Sequence, residues 1–306
     1  MSAEKMLEGK VIVVTGSGRG IGRAMAIMMA DAGASIVVND LGVSVGGESE
    51  GSNPAADVVK EITDAGGQAI ANNQSVASWD DAHEIIQSAI DSFGRIDGVV
   101  NNAGIMRDAI FHKMTEEDFD IVINVNLKGA FNMSRACAPH FRNQESGCLV
   151  HMTSTSGLIG NIGQANYMPA KLGVTALSKS IAMDMARYNV RSNCISPFAW
   201  SRMIGSMPSD TPEQQARLEK IKEMTPEKIA PLATALFGDA AKEVSGQIFA
   251  VRNNEIFLMS QSRPLRSAHT SDGWTPETVS DRVFSAFKPS MYALDKTADV
   301  FTWDPV

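Results

Sequence analysis

The stretch that most constrains the fold is VIVVTGSGRGIG, residues 11–22. Four consecutive apolar, mostly β-branched residues between Lys10 and Thr15-Gly16 have the length and composition of a strand buried on both faces. Such a strand needs parallel neighbours and a helical layer above and below it. The glycines that follow are spaced G-x-x-x-G-x-G (Gly16, Gly20, Gly22) and open the helical pattern IGRAMAIMMADAG. Strand, glycine turn and helix in this order aim backbone N–H groups at a helix N-terminus, where a pyrophosphate sits favourably. Gly16, Arg19, Gly20, Ile21 and Gly22 are therefore the expected phosphate-side contacts.

The same alternation continues. SIVVND ends at Asp40, eighteen residues after Gly22. A carboxylate there accepts hydrogen bonds from both adenosine ribose hydroxyls and repels a 2′-phosphate, which favours NAD over NADP. Arg19 is the counter-signal, as a cation that attracts such a phosphate. LGVSVGGESEGSNP (41–54) is a loop by composition. The helix DVVKEITDAGG, a strand at QAIANN, the helix ASWDDAHEIIQSAIDSFG and the strand IDGVV follow, ending at Asn101-Asn102-Ala103-Gly104. Thr115 and Asp118 form a capping box for a helix that carries Asn126 in its middle, a poor residue for a helix interior. CLVHMTS delivers Ser154 at the carboxyl end of a strand, where open α/β sheets bind ligands. The prediction is an α/β, doubly wound parallel sheet of Rossmann type. Residues 1–250 contain no repeat or linker and form a single domain, with GQIFAV as the last strand of the sheet. Residues 251–306 are a C-terminal extension: NEIFLMS alternates like a half-buried strand, and SDGWTPETVSDRVFSAF reads as a capped helix with Pro276 in its first turn. The extension is expected to wrap a neighbouring subunit or to edge the substrate pocket.

The chemistry concentrates at Ser154, Tyr167 and Lys171. Residues i and i+4 share a helix face, so the phenol and the ammonium point into one cleft. A neighbouring cation favours the phenolate and is expected to lower the pKa of Tyr167, making it a usable base. Taken singly these residues have plain readings: Tyr-x-x-x-Lys decorates many helices, Ser154 is a strand-end hydroxyl, and Asn126 packs or kinks a helix. His112, His140 and His151 read as ordinary polar or core histidines.

Composition narrows the alternatives. With 27 basic and 35 acidic residues the net charge is −8, and no basic stripe recommends nucleic acid. No apolar run is long enough to span a bilayer, and MSAEKMLEGK lacks the apolar core of a signal peptide. Cys137, Cys148 and Cys194 have no metal-ligand or disulfide spacing and read as buried free thiols. Free thiols fit a reducing, cytoplasmic setting, and TWDPV is not a peroxisomal tripeptide.

Together, TGxxxGIG at 15–22, NNAG at 101–104, Asn126, Ser154 and Tyr167-x-x-x-Lys171 resemble the short-chain dehydrogenase/reductase family, in order and spacing over roughly residues 9–250. VVNDLG, the glycine-rich insert, FGRIDGVVNNAGIMRD, GNIGQANY and SRM at 201–203 look like one subgroup. It comprises the (3R)-hydroxyacyl-CoA dehydrogenase part of peroxisomal multifunctional enzymes and 17β-hydroxysteroid dehydrogenases. The resemblance implies that Tyr167 takes the alcohol proton, Ser154 steadies the reacting oxygen, Lys171 holds the nicotinamide ribose and Asn126 holds a relay water. It further implies cofactor contacts at Asn102, Ala103 and Gly104, at Gln74, Ser75 and Val76, and at Ala199 and Ser201. Two departures stand out: Gln74 replaces the usual aspartate at the adenine, and Phe198 replaces the glycine that usually follows Pro197. A substrate lid is expected over about 198–228. Trp200, Met203 and Met207, with Met106 and Leu158, suggest a large apolar substrate, an acyl-CoA or a steroid. Arg107, Lys113 and Arg202 are candidate partners for a CoA ester. A homodimer or homotetramer pairing through the helices of Asn126 and Tyr167 is implied, and no metal. A non-catalytic nucleotide sensor is the alternative from another class, disfavoured because both Tyr167 and Lys171 are kept.

Overall fold

The computed structural model describes residues 5–199 and 211–306, apart from 45, 49, 50 and 52. Trp200, Ser201, Arg202, Met203 and Met207 lie outside the described residues. The sheet comprises β1 (Val11–Thr15), β2 (Ser35–Asn39), β3 (Gln68–Asn72), β4 (Gly98–Asn101), β5 (Gly147–Met152), β6 (Val190–Phe198), β7 (Ile248–Arg252) and β8 (Glu255–Leu258). Its order is β3-β2-β1-β4-β5-β6-β7-β8. The strands through β7 pair in parallel, with Val13 opposite Val37 on one side and Val99 on the other. The order reverses beside β1, which opens a crevice at the carboxyl ends of β1 and β4.

The apolar run of β1 is explained by its two covered faces. Ile12 and Val14 join one core cluster with Met25 and Met29 of α1 (Gly20–Asp31), Val58 and Ile62 of α2 (Pro54–Asp64), and later residues. Val11 and Val13 point the other way, as strand alternation requires. They pack with Ile85 and Ile86 of α3 (Trp79–Phe93). The capping box at Thr115 and Asp118 starts α4 (Glu116–Ile123), which runs through a π-helical turn at Asn124–Lys128 into α5 (Gly129–Gln144). Beyond β5 come the short α6 (Thr155–Leu158) and the long α7 (Tyr167–Asp184); α8 (Pro212–Lys222) and α9 (Ala230–Phe237) precede β7. Among the described residues no helix is long and apolar enough to cross a membrane.

One expectation is corrected. GQIFAV is not the last strand, because β8 pairs antiparallel with β7, Arg252 opposite Glu255. The tight turn Asn253-Asn254 allows this, with Asn253 in the left-handed region at φ 54°. Residues after β8 return to the sheet. Phe301 packs edge-on against Phe198 at the end of β6 and against Phe257 in β8, with ring centroids 4.9 and 5.3 Å apart. The bulky residue where the family resemblance expects glycine is thus the docking partner of this returning segment.

Candidate active site

Two strand ends build the crevice. Asn102 ties β4 to β1: its amide nitrogen donates to the carbonyls of Thr15 and Gly16, both at 2.9 Å. The Thr15 hydroxyl accepts from the backbone N–H of Asn102 and of Ala103, both at 3.1 Å. The turn into α1 tolerates no side chain at Gly22, where a Cβ would lie 2.2 Å from the Gly16 carbonyl oxygen and 2.6 Å from Asn102 Nδ2. Arg19 is the extended N-cap residue of α1, with Gly20 and Ile21 beginning the helix. Asp40, just past β2, has both carboxylate oxygens pinned by backbone N–H groups, from Gly18 and Gly42 at 2.8 Å each. Gln74 is already engaged. Its amide oxygen accepts from Asn72 at 2.8 Å and its amide nitrogen donates to Glu84. The Ser75 N–H donates to Asp81 at 3.0 Å, and the carbonyl of buried Val76 accepts from Asn132 at 3.0 Å.

The candidate catalytic side chains converge from three elements. Ser154 caps α6, its hydroxyl accepting from the Ser156 N–H at 3.1 Å and lying close enough to Tyr167 to act on the titration of its phenol. Tyr167 is the first residue of α7. Buried Asn166 fixes it there: its side-chain oxygen accepts from the Tyr167 N–H at 2.7 Å. The Asn166 amide nitrogen donates to the carbonyls of Arg107 and Asp118, at 2.8 and 2.9 Å. Sequence reasoning passed over Asn166, although an asparagine just before a helical pattern is a capping signal. One turn into α7, Lys171 is buried, its ammonium donating to the Met152 carbonyl at 2.9 Å and lying 5.6 Å from the Tyr167 ring centre. The Thr153 hydroxyl donates to the Lys171 carbonyl at 2.7 Å, which ties the end of β5 to α7.

The electrostatics overturn one expectation. The phenol of Tyr167 is not lowered; burial pushes it up to about 12, against a smaller downward pull from the Ser154 hydroxyl. Lys171 itself falls to about 8, because burial penalises its charge. The reason is that the lysine's charge is spent on a backbone carbonyl and is desolvated too, so removal from water dominates both groups. Nearby, the fully buried His151 is pushed down to about 3 by burial and by the Lys171 charge, and is a neutral core histidine. It bridges Asn101 and Ser192, each at 3.2 Å.

Asn126 explains its own oddity. It sits in the π-helical turn, and its amide nitrogen donates to the carbonyls of Ile105 and Val122 at 2.9 and 3.0 Å. Among the described residues its buried side-chain oxygen has no partner. A Cβ at Gly104 would stand 2.5 Å from that oxygen and 3.4 Å from Lys171 Nζ. Gly104 therefore keeps open a polar gap between an unsatisfied acceptor and an ammonium, the chemistry a ribose hydroxyl or a water would satisfy. Met106 and Leu158 are both half-buried, and Ala199 directly follows β6. Cys137, Cys148 and Cys194 are free and buried.

Residues 10–205 match the family model described as short chain dehydrogenase. A short-chain type dehydrogenase/reductase of Mycobacterium tuberculosis is 46% identical over 75% of this chain and 78% of its own length. The peroxisomal multifunctional enzyme type 2 of Mus musculus is 38% identical over 92% of this chain but only 37% of its own length, so this chain spans little more than a third of that relative. A hydroxyacyl-CoA dehydrogenase of M. tuberculosis is 37% identical over 88% of this chain and 86% of its own length. Among solved structures, a short chain dehydrogenase from Mycobacterium avium superposes with a TM-score of 0.81 at 36% identity, covering 94% of this chain and 97% of that one.

Proposed function

The chain belongs to the short-chain dehydrogenase family, and on that premise we propose that it oxidises a (3R)-3-hydroxyacyl-CoA to the 3-ketoacyl-CoA, with NAD as hydride acceptor. Membership makes it an oxidoreductase with a nicotinamide cofactor; the substrate and the choice of NAD are our reading. The observation that carries it is the gathering of Ser154, Tyr167 and Lys171 beside the oxygen of Asn126 that has no partner among the described residues. The thioester class comes from the relative named a hydroxyacyl-CoA dehydrogenase.

In this reading Ser154 donates to the substrate oxygen and holds it against the phenol, as an oxyanion donor does. Tyr167 takes the hydroxyl proton. Lys171 supplies positive charge beside the forming phenolate, and Asn126 holds a water that passes the proton outward. The nicotinamide, when bound, supplies the hydride acceptor. Gly16, Arg19, Gly20, Ile21 and Gly22 would hold its pyrophosphate and Asp40 its adenosine ribose. Gln74, Ser75 and Val76 would border the adenine, and Asn102, Ala103, Gly104, Lys171 and Ala199 the nicotinamide half. A 2′-phosphate meets a carboxylate fixed by two backbone donors that cannot swing aside, which supports NAD. Met106 and Leu158 would touch the acyl chain.

The test is NADH formation by the purified protein with a (3R)-hydroxyacyl-CoA, its (3S) isomer and a 17β-hydroxysteroid, with NADP in parallel. Preference for the (3R) thioester with NAD is the expected result. Turnover of the steroid alone would replace the thioester as substrate, and cofactor binding without turnover of any alcohol would overturn the enzymatic reading.

A further inference from the structure

The segment that returns after β8 is anchored at two places. One contact is to the loop joining Ser154 to Tyr167. Among the described residues, both hydrogen bonds to the Gly160 carbonyl come from Thr297, from its N–H at 3.0 Å and its hydroxyl at 3.4 Å. Gly160 is buried, and a Cβ there would lie 2.6 Å from the Asp295 carbonyl oxygen, so loop and segment meet backbone to backbone. The other contact is the aromatic cluster. Phe301 is 7% exposed between Phe198 and Phe257. The Arg252 guanidinium lies 5.9 Å from its ring centre and 5.3 Å from that of Trp303, and donates to the Trp303 carbonyl. Trp303 in turn donates its indole N–H to Glu255 at 2.8 Å, and the Asn254 N–H donates to the Val306 carbonyl at 2.9 Å. That end is therefore fixed to β6, β7 and β8. Between the anchors the chain is a single helical turn, Thr297–Val300, too short to stretch or fold on its own.

We propose that residues 295–303 are a strap that fixes the Gly160 loop to the sheet and so determines how the site accommodates the acyl chain. The acyl-chain half of this rests on the thioester reading above. The loop carries Leu158 two residues before Gly160 and enters Tyr167 seven residues after it. Its far half is held separately, by the Ala109 N–H donating to the Gly163 carbonyl at 2.9 Å and by Gln164 donating to Asp108 at 2.9 Å. The strap thus governs the half nearest Leu158. Thr297 is a positioning residue here, and Phe198 is the residue that gives the strap its seat on the sheet.

Thr297 is the first residue of its helical turn, after Lys296 at φ −92° and ψ 163°. Proline is accommodated at that position, and the preceding residue already has the extended backbone proline requires. Thr297→Pro thus deletes both hydrogen bonds to Gly160 with little other change, while Thr297→Val deletes only the longer one. Phe301→Leu loosens the opposite anchor and keeps a folded reporter should the proline variant fail to fold. Amide hydrogen exchange over 158–162 and kcat/KM on a four-carbon and a long-chain (3R)-hydroxyacyl-CoA are measured in the full chain. In Thr297→Pro, exchange over 158–162 speeds up roughly fivefold, the equivalent of one net hydrogen bond. The long-to-short ratio of kcat/KM changes by a similar factor, through KM on the long substrate, with kcat on the short one retained. Thr297→Val stays close to wild type, and Phe301→Leu follows the proline variant. Unchanged exchange in both Thr297→Pro and Phe301→Leu overturns the strap. Faster exchange with an unchanged chain-length ratio overturns its role in substrate choice. A wild-type enzyme silent on thioesters removes the substrate assignment, and the strap is then judged on exchange alone.

Discussion

At the scale of single residues, the unequal titration of Tyr167 and Lys171 makes a definite kinetic statement. With the phenol at about 12 and the ammonium at about 8, the phenolate fraction rises tenfold per pH unit while the lysine holds its charge. Above about 8 the ammonium is lost at the rate the phenolate is gained, and their product levels off. The logarithm of kcat/KM for alcohol oxidation, which reports the free enzyme, should therefore climb with a slope near one below pH 8 and flatten above it. A flat profile between pH 6 and 8 would assign the proton to another base. Tyr167→Phe should lower kcat by about 10²- to 10⁴-fold, the range of a lost general base, with cofactor affinity retained. His151 makes a stability statement of opposite origin. Its folded value lies near 3 against 6.5 for an ordinary imidazole, so as pH falls below 6.5 the unfolded chain binds the proton first. Stability from this group is intact above 6.5 and lost progressively toward 3, about 2 kcal/mol by pH 5. Urea unfolding of wild type and His151→Gln at pH 7 and pH 5 should show the wild type losing that much more. Equal losses would mean that the buried ring already accepts a proton. That Tyr167 and Lys171 share one helix face was legible from their spacing, and the structure keeps them together, but the direction of the phenol's shift was not legible. Spacing says which groups are neighbours, whereas desolvation depends on everything else that surrounds them.

At the scale of elements, the π-helical turn at Asn124–Lys128 is the device that turns Asn126 inward. An asparagine in a helix interior is legible as an anomaly; the extra residue per turn that answers it is not, since no side-chain pattern encodes it. The same holds for β8, whose alternation was readable while its pairing with β7 depended on a two-residue turn. By contrast β1, β2 and β4 were legible because strands buried on two faces announce themselves as unbroken apolar runs. Gly104→Ala tests the gap beside Asn126. Its Cβ collides with an oxygen that is itself held, through the amide, by the Ile105 and Val122 carbonyls. The substitution should weaken cofactor binding at least tenfold in a fluorescence titration and destabilise the fold by roughly 1–3 kcal/mol, the overpacking range. Unchanged cofactor affinity would place the nicotinamide half elsewhere.

At the scale of the whole molecule, α5 and α7 leave apolar residues outside: Phe131 is 43% exposed, Leu172 51% and Met183 72%. Between these helices runs a groove of about 240 Å³ lined by Phe131, Ala138, Leu177 and Ile181. We read this face as the homo-oligomer interface that the family resemblance implies. Sedimentation should give a dimer or tetramer for the wild type and a smaller species for Phe131→Lys; a wild-type monomer would end that reading. The return of Phe301 to Phe198 also bears on how the protein is made. Chains emerge from the ribosome amino end first, and the sheet through β7 has been synthesised some fifty residues before Phe301 appears. Until then, among the described residues, Phe198 lacks the ring it packs against and Gly160 the donors to its carbonyl. A nascent chain halted at residue 290 would carry Asn126, Ser154, Tyr167 and Lys171 and still lack both anchors of the returning segment.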